Sequence, residues 1–242
     1  AGLTNRLLAP WASRVLTAFP DVLKGGEPVG NPVREEIAAL PNPGVRFAGR
    51  TGSLRVLVIG GSQGAVALNR TVPQALSQIV PERRPQILHQ AGENNLESTQ
   101  GSYTAAGVTA DIRPFLDDIA EAYGWADLVI CRAGALTISE LAAAGVPAVL
   151  VPFPSAVDDH QTRNARYLAD AGGALLAPQA ELTAERLSGW IGDFADDAAS
   201  GRERLLTMAQ SARAVARPAA TDEVTEVCLQ LAGPGGEYEH RD

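Results

Sequence analysis

Leu54-Arg-Val-Leu-Val-Ile59 runs directly into Gly60-Gly61-Ser62-Gln63-Gly64, and the reading of the whole chain starts from this junction. The apolar run is short, rich in β-branched residues and closed by paired glycines, which is the pattern of a buried strand. From Ala65 the apolar positions Ala65, Leu68, Val72, Leu76 and Ile79 keep the spacing of one helix face. Pro73 is expected to kink that helix. A strand, a glycine-rich turn and a helix therefore follow one another within a single unit.

The unit recurs along the chain. Gln86–Gln90 reads as a second strand ended by Ala91-Gly92, Thr109–Phe115 as a third, and Asp117–Tyr123 as a short amphipathic helix. Asp127–Cys131 reads as a fourth strand, followed by Arg132-Ala-Gly-Ala135 and a helix over Thr137–Ala144. Gly145 is a natural residue to stop that helix, with Pro147 after it. Ala148–Val151 is expected as a fifth strand stopped by Pro152 and Pro154, Asp159–Ala171 as a helix, and Ala174–Leu176 as a sixth strand. Thr183–Phe194 and Gly201–Val215 read as helices.

Strand–helix alternation with near-continuous apolar strands predicts a parallel sheet covered on both faces. Residues 52–178 are accordingly expected to form a doubly wound α/β domain. Such sheets bind ligands beyond the carboxyl ends of their strands, so the loops after Ile59, Cys131 and Val151 are the ones to inspect. Residues 1–34 hold a short helical stretch, a strand over Arg14–Ala18 and the turn-rich Gly30-Asn-Pro-Val-Arg34. Residues 35–51, broken by Pro41, Pro43, Gly44 and Gly49, read as a linker, and the polar end from Gly233 reads as frayed.

Composition narrows the function. The 242 residues carry a formal net charge of −8 and no basic cluster, which argues against a general nucleic-acid binder. The two cysteines, Cys131 and Cys228, make no disulfide framework and suit a reducing compartment. No apolar run reaches the roughly 18 residues that suggest a membrane span.

Each inspected loop admits two readings. Gly60 to Gly64 could bring backbone N–H groups and a helix N-terminus to a phosphate, or be a tight turn with Ser62 as the N-cap. It matches neither the dinucleotide fingerprint nor the P-loop. After Cys131, Thr137 and Glu140 have the spacing of a capping box, and spacing alone favours that reading over a nucleotide contact. Two glycine-bearing helix starts in one domain shift the balance toward a nucleotide cleft. After Val151, Asp158 or Asp159 could cap a helix, while Gln161 and Asn164 share a helix face and could read sugar hydroxyls. Asp158, Asp159 and His160 are consecutive and point different ways, which makes a poor metal site, so none is expected. His89 reads as structural, Cys131 as a packed thiol, and Arg34 as either an interdomain cation or a linker salt-bridge partner.

Taken together and in order, these stretches resemble the MurG family of bacterial N-acetylglucosaminyl transferases. The resemblance rests on Ala1–Asn5, Val29–Arg34, Gly60–Gly64 with Leu68-Asn69, and His89–Gly92. It continues through Phe115–Asp118, Ala126–Glu140, Ala143–Pro147, Val151–Pro154, Asp158–Gln161 and Asn164, and so covers about residues 1 to 232. It implies a GT-B glycosyltransferase fold, in which two Rossmann-like domains face each other across a cleft. Residues 1–34 would be the end of the N-terminal acceptor domain, 35–212 the donor-binding domain with its linker at 35–51, and 213–242 the crossover helix and tail. The family's N-terminal glycine-rich loops and proposed catalytic histidine have no counterpart after Ala1, so the general base is expected outside this chain.

By the same resemblance, Gly61, Ser62, Gln63 and Gly64 would hold the UDP diphosphate, with Arg34 also at the donor site. Leu116 would meet uracil through its backbone. Ala135, Leu136, Thr137, Ile138, Ser139 and Glu140 would line the donor site, with Ala135 to Thr137 at the diphosphate and ribose and Glu140 on the ribose hydroxyls. Gln161 would contact the N-acetylglucosamine. Ala133 stands where many members have serine, and Ser155 where many have histidine.

The implied reaction is inverting transfer of N-acetylglucosamine from UDP-N-acetylglucosamine to lipid I, giving lipid II for peptidoglycan. It requires no cofactor or catalytic metal. The full-length protein is expected as a peripheral protein on the cytoplasmic face of the bacterial cell membrane, and this chain alone is expected to bind donor weakly and transfer nothing. Another UDP-sugar enzyme of the same architecture, such as a UDP-N-acetylglucosamine epimerase, and a non-catalytic nucleotide-binding module are the alternatives.

Overall fold

The computed structural model describes residues 2–61, 65–154, 159–195 and 198–232. Its centre is a six-stranded, wholly parallel sheet made of β3 (Arg55–Ile59), β4 (Gln86–Gln90), β5 (Asp111–Arg113), β6 (Leu128–Cys131), β7 (Ala148–Leu150) and β8 (Ala174–Leu176). The strand order is β5-β4-β3-β6-β7-β8. The chain winds outward from β3 to one edge, returns to the middle at β6, and winds to the other edge. This is the Rossmann order, and its reversal lies between β3 and β6.

Register puts the two halves side by side at that reversal, with Ile59 opposite Cys131 and Val56 opposite Leu128. Alternation along each strand supplies both faces of the core. Val56, Val58, Leu128, Ile130 and Val149 pack on one side against α4 (Val66–Ser77), α9 (Ala184–Ala195) and α10 (Ala198–Ala214). Leu57, Ile59, Val129, Cys131 and Leu150 pack on the other against α6 (Ile119–Trp125), α7 (Ala135–Ala144) and α8 (His160–Ala169). The α5 helix (Leu96–Ala105) follows β4 and packs on α4. Burial on both faces explains why the strands read as unbroken apolar runs.

Helix α4 contains Pro73, which is itself buried. Several other elements differ from the sequence reading. The third strand shortens to Asp111–Arg113, and the strand over Arg14–Ala18 to β1 (Leu16–Thr17), which pairs in parallel with β2 (Glu27–Pro28). Residues 2–15 include the exposed α1 (Leu3–Leu8). The stretch 35–51 holds α2 (Glu35–Ala38) and α3 (Pro43–Phe47), each too short for helical periodicity to show. Ile37 and Phe47 from these helices are buried.

Two arginines at the end of this stretch anchor the ends of α6 and α7. Arg50 donates to the carbonyls of Gly124 at 2.6 Å and Ala126 at 2.8 Å, where α6 ends, and pairs with the buried Asp127. Arg46 donates to the Gly145 carbonyl at the end of α7. Cations there complement the exposed carbonyls and the negative end of the helix dipole. Gly145 closes α7 in the left-handed conformation at φ 60°, and Val146 N–H bonds to the Leu141 carbonyl at 3.0 Å. This is the stop expected from Gly145. Beyond α10 the chain turns into α11 (Ala220–Ala232), where Ala220 is buried and Leu229 and Leu231 are exposed.

Candidate functional site

The strand-order reversal places two strand-to-helix turns next to each other. One leaves β3 at Gly60-Gly61, with Gly61 at φ 80°, a conformation that glycine adopts without strain. Ser62, Gln63 and Gly64 lie outside the described residues, as does the proposed cap by Ser62. The other turn leaves β6 through Arg132-Ala133-Gly134, and α7 starts at Ala135.

The capping box does not form. Gly134 is the N-cap of α7 and supplies no side-chain bond, so Thr137 falls inside the first turn rather than at the cap. Glu140 instead accepts a hydrogen bond from the Tyr123 hydroxyl at 3.1 Å. The backbone N–H groups of Ala135, Leu136 and Thr137 are then the ones that a helix start leaves without intrahelical partners. The Ile138 N–H already donates to the Gly134 carbonyl at 3.0 Å, and its side chain is fully buried in the core. Ser139 Oγ donates to the Ala135 carbonyl at 3.1 Å and accepts from Asn31 Nδ2 at the same distance. The run expected to act together therefore divides. Ala135 to Thr137 offer donors, Leu136 is exposed, Ile138 supplies core packing, and Ser139 ties down the Asn31 turn.

Glu140 sits one and a half turns into α7 and is 9% exposed. Burial pushes its carboxyl above the ordinary range, while the Tyr123 hydrogen bond and the positive charge of Arg34 pull it back. Arg34 itself is exposed at the start of α2, and its backbone carbonyl accepts from Ile37 and Ala38. No ion pair joins it to a carboxylate among the described residues, contrary to the linker salt-bridge reading. Leu116 is buried, and its chain segment follows the end of β5.

A hollow of about 500 Å³ opens between the start of α4 and the loops after β6 and β7, lined by Val66, Arg70, Arg132, Phe153 and Gln161. Gln161 Oε1 accepts from the Phe153 N–H at 2.9 Å, and its amide N–H groups have no partner among the described residues. Asn164 Nδ2 donates to the Ala133 carbonyl at 3.1 Å and so ties α8 to the turn after β6. Asp158 lies outside the described residues. Asp159, at φ 52°, takes the N-cap position of α8 without a side-chain cap bond. Arg132 braces the same wall, donating to the Val151 carbonyl at 3.2 Å and to Gln179 Oε1 at 2.6 Å.

Other groups are structural. Cys131 is fully buried, and burial pushes its thiol up to about 12, so it has no thiolate for nucleophilic work. His89 is sealed between Tyr103 and Asn69. Reading the sequence missed Tyr123, Asn31 as a partner of Ser139, and Arg46 and Arg50 as helix anchors. The only local signal was that a buried tyrosine hydroxyl needs a partner.

Residues 55–223 match the family described as Glycosyltransferase family 28 C-terminal domain. The chain is 59% identical over 232 residues to a protein of Azoarcus sp. (strain BH72), covering 96% of this chain and 64% of that protein. It is 56% identical, with the same coverage, to one of Dechloromonas aromatica (strain RCB). Both are named UDP-N-acetylglucosamine–N-acetylmuramyl-(pentapeptide) pyrophosphoryl-undecaprenol N-acetylglucosamine transferase. The crystal structure of Acinetobacter baumannii MurG superposes with a TM-score of 0.78 at 41% identity, covering 94% of this chain and 63% of that one. The chain thus spans just under two thirds of the length of these relatives.

Proposed function

Since the chain belongs to the glycosyltransferase family 28 C-terminal domain family and has the GT-B fold class expected of it, we propose that it forms the donor half of an N-acetylglucosaminyl transferase. The enzyme would move N-acetylglucosamine from UDP-N-acetylglucosamine to lipid I, and this chain would hold the UDP-sugar. The observation that carries this reading is the pair of turns at Gly60-Gly61 and Gly134, adjacent where the strand order reverses.

The N–H groups of Ala135 to Thr137 would meet the diphosphate, helped by the positive end of the α7 dipole. Their donors would also stabilise charge growing on UDP as the glycosidic bond breaks. Glu140, under the positive charge of Arg34, would accept from the ribose hydroxyls, and the amide of Gln161 would face the sugar. The muramyl hydroxyl of the acceptor would attack the anomeric carbon with inversion. A general base taking its proton would come from the part of the relatives that this chain does not span. A lipid-linked acceptor and a nucleotide-sugar donor together favour peripheral attachment at the cytoplasmic face of the membrane and a role in peptidoglycan assembly.

Calorimetric titration of the chain with UDP, UDP-N-acetylglucosamine and dTDP tests the donor site. Binding of both uridine ligands, with no transfer to lipid I by the chain alone, is expected. Absence of UDP binding would overturn the reading, and conversion of UDP-N-acetylglucosamine without acceptor would assign an epimerase instead.

A further inference from the structure

Tyr123 is one of the largest fully buried side chains and sits at 1% exposure on α6. A phenol so placed cannot reach water and needs a protein partner. Its partner is Glu140 Oε2 on α7, at 3.1 Å. An ionised carboxylate only accepts, so the hydroxyl must donate. Burial and the negative charge of Glu140 hold the phenol protonated, far above its ordinary range.

The other carboxylate oxygen is differently placed. Among the described residues no donor sits on Glu140 Oε1, and it is not one of the buried polar atoms left without a partner. Glu140 as a whole keeps 9% exposure. Helical side chains lean toward the helix N-terminus, so Glu140 leans toward Gly134 and the strand-order reversal. One oxygen is held by α6, and the other has no donor among the described residues.

We infer that Tyr123 is a positioning residue for nucleotide recognition, its hydroxyl fixing Glu140 so that Oε1 meets the ribose hydroxyls of a uridine nucleotide. This deepens the proposed donor site and rests on it. A glutamate side chain is otherwise free to turn about three bonds, and a tie to the charged group removes that freedom before the ligand arrives. Hydrogen bonds to charged groups carry enough energy for a change of about tenfold in affinity.

The test compares binding of UDP and 2′,3′-dideoxy-UDP to the whole chain, to Tyr123→Phe, to Glu140→Gln and to the double variant. Tyr123→Phe keeps the ring and its packing, and thermal melting checks that it folds. The ratio of the two affinities within one variant does not depend on the folded fraction. The wild-type chain should prefer UDP, and Tyr123→Phe should weaken UDP about tenfold while bringing the ratio toward that of Glu140→Gln. Adding Tyr123→Phe to Glu140→Gln should then change the ratio no further. If Tyr123→Phe keeps the wild-type ratio while Glu140→Gln loses it, or weakens both ligands equally, the positioning role is wrong and the donor site stands. If the wild-type chain does not distinguish the ligands, Glu140 does not read ribose and the inference falls with that assignment. If it binds neither, the proposed function itself fails.

Discussion

His89 Nε2 lies 3.0 Å from Asn69 Oδ1, and both side chains are buried beside the β3–α4 turn. Asn69 Nδ2 donates to the Ala91 carbonyl at 3.0 Å, which orients its amide and makes Oδ1 the acceptor. Nε2 must then carry the proton, and Nδ1 accepts from the Tyr103 hydroxyl at 2.8 Å. The chain of bonds ties the helix after the first turn to the end of β4 with a neutral imidazole.

That neutrality predicts acid lability. Burial lowers His89 from 6.5 to about 4. Between these values the unfolded chain binds a proton that the folded chain refuses, so stability falls as pH drops through the window and is fully present above it. The loss is roughly 3 kcal/mol below both values. Urea unfolding of wild type and His89→Gln at pH 7, 5.5 and 4 reads it. The wild-type advantage at pH 7 should shrink on acidification, and a pH-independent difference would contradict the assignment.

Asp127 is 1% exposed, pairs with Arg50 and accepts the Arg55 N–H at 2.9 Å. Arg50→Met keeps the aliphatic stem but leaves a buried carboxylate without its cation and the end of α6 without its cap. Loss of one partner of a buried pair costs about 3 kcal/mol or more. Denaturant melts of the variant should show that loss.

Thr137 and Glu140 show where local sequence and structure part. Their spacing is that of a capping box, yet the same spacing recurs throughout any helix, and the motif acts only if the helix starts at its first residue. Here Gly134 starts the helix earlier, so Glu140 is left for Tyr123, on another helix. Strands and the stop at Gly145 were legible because apolar runs and left-handed glycines are local facts. The anchoring of α6 and α7 by Arg46 and Arg50 joins residues far apart in sequence, and short-range periodicity carries no trace of it. Gly60-Gly61 and Gly134 were legible as turns. That they lie side by side follows only from the strand order.

Gly145 and Gly107 separate two costs of a side chain. Both are left-handed, at φ 60° and 62°. A Cβ at Gly107 would meet nothing within 4 Å, whereas one at Gly145 would stand 2.8 Å from Pro43 Cγ and 3.1 Å from Arg213 Cβ. Gly107→Ala should cost about 1 kcal/mol for the backbone alone. Gly145→Ala should cost about 3 kcal/mol, because overpacking adds to the backbone penalty. Equal shifts in urea midpoint would show that the contact at Pro43 relaxes freely.

Burial raises the Glu140 carboxyl above its ordinary range, with Tyr123 and Arg34 opposing. If Glu140 accepts from ribose hydroxyls, binding favours its ionised form. Affinity for UDP should then be complete above the raised value and fall as pH drops through it, earlier than an ordinary surface glutamate would allow. UDP titrates on its own phosphate, but that contribution is common to wild type and Glu140→Gln and cancels in their ratio. Calorimetry across the acid range should show the wild-type advantage over Glu140→Gln shrinking toward low pH. A ratio that stays constant until the chain unfolds would mean that Glu140 is not in contact with the nucleotide, whatever its hydrogen bond to Tyr123.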